Sequence, residues 1–202
     1  ILYSAEGRRL AEKRGDLSGD AAVAMAADGH FAIVDRGAEG AGGEASKLTL
    51  YSPSGTEISS ASLGIEVIAK QLAVRDGGET VALALTDAQK YRDGATDIVL
   101  YSKSAERIGA IGNVRYPNAL TFAGSSDAHL LASARGTLML LDADDAKVVW
   151  KTNRFYRLAF PLSAGISPDG RYLSIVTTVL PPKPQRDYHG RAHLLSMDDG
   201  RQ

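Results

Sequence analysis

The sequence predicts an all-β fold made of repeated four-stranded antiparallel sheets, and three observations predict it. One segment recurs, as Ile1-Leu2-Tyr3-Ser4, Thr49-Leu50-Tyr51-Ser52 and Val99-Leu100-Tyr101-Ser102, with weaker copies at Leu140-Leu141-Asp142 and Leu194-Leu195-Ser196. Taking Tyr3, Tyr51, Tyr101, Leu141 and Leu195 as equivalent gives spacings of 48, 50, 40 and 54 residues. A second marker keeps the same beat: Asp28-Gly29, Asp76-Gly77, Asp127 and Asp169-Gly170 recur at 48, 51 and 42 residues. Finally, short apolar and β-branched runs punctuated by Asp, Gly, Ser and Pro fill the chain, with no sustained helical periodicity. Two independent markers sharing one period make the repeat a property of the chain.

Each element follows from that beat. Residues 1–14 supply a strand around Tyr3, then a turn and a second strand. Residues 5–14 look superficially helical, but they align with a turn and fourth strand of the later copies. The next copy places strands at 21–26, 31–34, 47–51 and 57–61, with turns at Asp28-Gly29 and Pro53-Ser54-Gly55. The third places them at 71–74, 81–85, 97–101 and 107–111, and the fourth at 119–122, 129–133, 138–141 and 147–151. The fifth has 163–166, 172–177 and 191–195. Four antiparallel strands per 40 to 50 residues is the pattern of a β-propeller blade, a unit too small to bury both faces alone and therefore stacked on its neighbours. The expected organisation is a single β-propeller domain over 1–202: a half blade at 1–14, blades at 20–63, 65–112 and 114–153, and a blade lacking its last strand at 156–202. Four to five blades with a half blade in front fit a fragment of a larger ring better than a closed small one. An open ring would expose sheet edges, which invite edge-to-edge pairing into a dimer.

Composition excludes several classes. The 202 residues carry 23 Lys plus Arg against 24 Asp plus Glu, a formal charge of −1, which argues against a nucleic-acid partner. The absence of Cys excludes a disulfide scaffold, thiolate zinc sites and Cys nucleophiles. No apolar run is long enough to span a membrane. The chain opens on Ile1-Leu2-Tyr3-Ser4, which reads as the middle of a strand, and nothing in the residues separates a periplasmic or extracellular location from a cytoplasmic one.

Two stretches carry a family resemblance. The run from Gly136 through Asp142, Asp144 and Asp145 to Val149-Trp150-Lys151 resembles a PQQ-type propeller repeat, with its strand, acidic turn and closing Val-Trp. Ile166-Ser167-Pro168-Asp169-Gly170-Arg171-Tyr172 resembles the Ser-Pro-Asp-Gly turn of WD-repeat-like propellers, including the Tol-system and prolyl-oligopeptidase-type families. Both imply the propeller fold. The first implies a quinoprotein dehydrogenase as one setting, and the second the gating propeller of a serine peptidase.

The residues favour binding over catalysis. In the expected fold, the loops joining strands two and three and those joining one blade to the next share a face, and function lives on such loops. That face gathers Arg36 from the Gly-rich 35–46 loop, Lys90, Tyr91 and Arg92 from the 86–96 loop, and Arg186, Tyr188 and His189 from the proline-bearing 178–190 loop. The interblade connections add Arg115, Tyr116, Arg154 and Tyr156. Arg, Tyr and Asp in this density suit a peptide, a partner protein or an anionic ligand, and a protein or peptide partner is the expectation. The glycines at 37–43 lack the Gly-Lys-Ser/Thr of a phosphate loop, and Asp142, Asp144 and Asp145 lack the Gly and Glu of a calcium loop. No Gly-x-Ser-x-Gly elbow occurs, and the histidines at 30, 129, 189 and 193 are scattered. Trp150 reads as packing between blades. The expectation is a noncatalytic binding or scaffold propeller with no cofactor, no metal and no catalytic residues; the alternative is the propeller portion of a larger enzyme.

Overall fold

Alternation of apolar and polar residues sets the strands, and the repeated turns fold consecutive strands onto each other. The structure is a computed structural model and describes residues 2–3, 9–11, 21–35, 45–64, 67–87, 95–115, 117–122, 128–134, 137–153, 158–167, 171–179 and 189–199. Strands β1 (Leu2–Tyr3) and β2 (Arg9–Ala11) form an antiparallel pair. The first full sheet orders β3 (Ala22–Met25), β4 (Phe31–Asp35), β5 (Ser46–Tyr51) and β6 (Glu57–Gly64). The second orders β7 (Val67–Val74), β8 (Thr80–Asp87), β9 (Ala95–Ser102) and β10 (Arg107–Arg115), and the third β11 (Pro117–Phe122), β12 (His129–Ala134), β13 (Thr137–Asp142) and β14 (Lys147–Thr152). A fourth sheet has three strands, β15 (Leu158–Ile166), β16 (Tyr172–Val179) and β17 (His189–Ser196). Every pairing is antiparallel between consecutive strands.

The register shows why the sequence repeats. Tyr51, Tyr101, Leu141 and Leu195 pair across the ladder with Phe31, Val81, Leu130 and Leu173, the same position in four sheets. Strand two of each sheet then sends alternate residues to opposite faces. In the second sheet Val81, Leu83, Val99 and Tyr101 pack against Ala32, Val34, Leu48 and Leu50 of the first. Ala82, Ala84, Ile98 and Leu100 turn the other way, onto Leu130, Ala132, Met139 and Leu141 of the third. Leu131, Leu138 and Leu140 continue the series onto Leu173, Ile175 and Leu195 of the fourth. The core is thus a row of layers between sheets. Each fully buried Leu contributes about 1.5–3 kcal/mol.

The first strands lie side by side, β3 against β7, β7 against β11 and β11 against β15, while the fourth strands lie outside. Antiparallel connectivity puts the strand one–two and three–four turns at one end of every sheet, the turn end. The strand two–three connections and the links between sheets come out at the other, the loop end.

Several strands run beyond the sequence-based expectation. β7 starts at Val67 rather than residue 71, β10 continues to Arg115 rather than 111, and β15 starts at Leu158 rather than 163. Each extension crosses a register shift, at 69–71, at 111–114 and on both sides of Pro161. A bulge interrupts the period-two pattern while keeping the pairing.

Candidate functional site

At the turn end, the markers that set the period hold adjacent sheets together. Asp28 accepts from the backbone N–H of His30 at 3.1 Å and pairs with the His30 ring at Nδ1, 2.9 Å away. Its other contacts cross to the equivalent turn of the next sheet: its carboxylate accepts the Gly77 N–H, and its own N–H donates to Asp76 Oδ1 at 3.3 Å. Gly78 (φ +68°) closes the gap, since a Cβ there would come 3.1 Å from the His30 ring. Arg75 reaches Asp144 of the third sheet at 3.0 Å.

Burial pulls the Asp28 carboxyl upward, but the Gly77 and His30 N–H groups and the His30 ring outweigh it and hold the pKa below 3.8. A lowered folded pKa gives stability that is present above the unfolded value and lost as the pH falls through the folded one. Wild type should therefore lose more stability than Asp28→Asn as the pH falls from about 5 through the carboxylate range, read from urea midpoints. Parallel profiles would mean that this link is energetically silent.

The carboxylates of the acidic turn in the third sheet are engaged. Asp142 Oδ1 accepts the Asp144 N–H at 2.9 Å, Asp144 holds Arg75, and Asp145 holds Lys147. Among the described residues, no group of three or more His, Asp or Glu is placed to hold a metal.

At the loop end, a groove of about 420 Å³ opens between β10 of the second sheet and β13–β14 of the third. Ile111, Val114, Met139 and Val148 give it apolar walls, and Asn113, Arg115, Lys151 and Asn153 rim it. The bulge in β10 shapes one wall: Asn113 sits at φ +61°, and its N–H donates to Asp97 Oδ1 at 3.2 Å. Across the groove Thr137 donates to Asn153 Oδ1 at 2.9 Å. A second cavity of about 380 Å³ lies at the turn end among the innermost strands, lined by Met25, Leu72, Val74, Asp76, Leu120 and Phe122.

Of the residues singled out by the sequence, Arg115 is exposed on the groove. His189 opens β17, where its backbone pairs with Val179. Arg36, Lys90, Tyr91, Arg92, Tyr116, Arg154, Tyr156, Arg186 and Tyr188 lie outside the described residues. Sequence reasoning missed Lys151, Asn113 and the inner cavity, because all three belong to strands rather than to loops. Trp150 is half-buried, and its indole N–H donates to the Met197 carbonyl of the fourth sheet at 2.6 Å, a link between sheets.

No family model matches the chain, and no curated protein matches it. Solved structures do. BamB from Moraxella catarrhalis aligns at 13% identity with a TM-score of 0.53, over 89% of this chain and 46% of its own. Hydrazine synthase of Kuenenia stuttgartiensis aligns at 13% identity and 0.58, over 93% and 48%. The β-propeller domain of the Trilobed protease from Pyrococcus furiosus, described as having an open velcro topology, aligns at 11% and 0.57, over 86% and 52%. The fold is a β-propeller. The four larger sheets are its blades, and this chain spans about half the length of the propeller chains it matches. In propeller terms the inner cavity lies where the first strands of three blades meet, and the groove lies between the outer strands of two blades. Among the described residues no helix is long and apolar enough to cross a membrane.

Proposed function

We propose that the chain is a noncatalytic binding module, one propeller unit that holds a protein or peptide partner on the loop end of its blades. The observation that supports this reading is the groove between the second and third blades, an apolar trough rimmed by amides and cations on a face fixed by layered cores. Rigid blades carry the loops at small entropic cost, which favours recognition by a preformed surface.

We assign the proline-bearing segment between β16 and β17 to the same recognition role, on its Arg186, Tyr188 and His189. Exchanging Arg186–His189 for Gly and Ser should abolish partner capture on the immobilised chain and leave the melting temperature unchanged. Undiminished capture would overturn the assignment. A second reading, the propeller portion of a larger enzyme, draws on the likeness to the Trilobed protease domain. On that reading the partner at the same face is a catalytic domain.

A further inference from the structure

We propose that the groove between the second and third blades takes an acidic peptide whose apolar side chains alternate with Asp or Glu. The inference rests on the binding-module reading above and names its ligand.

Charge is the first argument. Lys47, Arg75, Lys103 and Lys147 each hold a carboxylate, of Glu57, Asp144, Glu79 and Asp145. Arg115 and Lys151 hold none among the described residues, nor does Arg107 at the turn end, and of these three Arg115 and Lys151 rim one groove. Beside the Arg115 wall the Asp97 carboxylate accepts the Asn113 N–H and keeps its negative charge, so the two cations exceed it by one. On a chain of net charge −1, two unpaired cations on opposite walls form a local positive field. Arg115 can grip a carboxylate with two N–H groups, and Lys151 supplies a mobile point charge.

Shape is the second argument. Val148, 42% exposed, and half-buried Ile111 give the trough apolar contact area on its two walls. A free phosphate or a nucleic-acid backbone would leave that area uncovered. An extended peptide alternates its side chains about the backbone, so one set reaches the apolar walls while the other meets the rim. The volume falls within the range of sites that enclose a few side chains. The bulge at 111–114 aims the end of β10, and with it Arg115, at the groove; such irregularities cluster at functional sites.

The test is fluorescence anisotropy on the whole chain, using short labelled peptides that alternate Leu with Glu, Leu with Lys, or Leu with Ser. The Glu peptide should bind in a saturable, salt-sensitive way and the other two weakly. Arg115→Glu and Lys151→Glu should each weaken it by about tenfold or more. Both side chains are exposed, so the substitutions leave the core intact, and matched melting curves verify that. Lys103→Glu, at the turn end, should leave binding unchanged.

Equal binding of the Ser peptide, equal loss in Lys103→Glu, or displacement by single-stranded DNA at matched charge would overturn the acidic-peptide assignment. So would no saturable binding of the Glu peptide. If that happens while partner capture still depends on Arg186–His189, the acidic ligand alone is refuted. If capture is also insensitive to that exchange, the binding-module reading fails with it.

Discussion

Leu100→Ala should cost about 2–5 kcal/mol of folding stability, and Leu194→Ala no more than about 0.5 kcal/mol. The two leucines occupy one repeat position, each immediately before the residue that marks the period, and each pairs with the third residue of strand two, Ala82 and Ser174. Leu50, Leu100 and Leu140 are 2%, 0% and 1% exposed, whereas Leu194 is 59% exposed. Val34 and Val176, at another shared position, are 2% and 40% exposed. The difference lies in what covers them. Leu100 is sealed under the third blade by Leu130, Ala132 and Leu141, so truncation leaves a cavity that rigid neighbours on both sides cannot fill. No described residue covers the same face of the fourth blade to that extent. Denaturant midpoints at constant m-value give the comparison. A loss at Leu194 as large as that at Leu100 would mean that a second chain covers this face in solution. Melting would then depend on protein concentration, as it does for an edge-to-face dimer.

The repeat was legible because its chemistry recurs where its geometry recurs. Tyr51, Tyr101, Leu141 and Leu195 fall at one ladder position, and a sequence comparison finds them without any coordinates. The Asp-Gly marker was legible as a turn. Its second role was not, because nothing in the string says that Asp28 bonds to the turn that repeats it, through Gly77 and Asp76. Strand ends at β7, β10 and β15 were hidden by bulges, which break the period-two pattern that reveals strands.

The candidate site was legible only in part. The loop end could be named from the strand order, and Arg115 from its place beside an interblade connection. Lys151 could not, since a Lys on an outer strand ordinarily faces solvent. Its significance comes from β10 of another blade, which lies opposite it across the groove. A site built from the walls of two repeats leaves no local motif in either.

Gly109→Ala should destabilise the chain by about 1–3 kcal/mol, and Ala146→Gly should restore it. Gly109 pairs with Leu100 on the outer strand of its blade, as Ser59 pairs with Leu50 and Trp150 with Leu140. All three positions meet the turn that follows strand three of the next blade. The Ser59 hydroxyl donates to the Lys103 carbonyl at 2.6 Å, and the Trp150 indole donates to the Met197 carbonyl at 2.6 Å. At Gly109 the turn comes so close that an added Cβ would lie 2.5 Å from the Ala146 Cβ. One contact is therefore made in three ways, by a hydroxyl, by an indole and by bare backbone, which is why no residue pattern betrays it. Ala146 is itself in the left-handed region, at φ +57°, where Gly carries no Cβ penalty. Ala146→Gly alone should thus gain up to about 1 kcal/mol, and the double variant should recover most of what Gly109→Ala loses. A thermodynamic cycle should return a coupling of about 0.5–3 kcal/mol. Additive effects would place the two residues out of contact and would separate the second and third blades along their outer strands, the seam on which the groove depends.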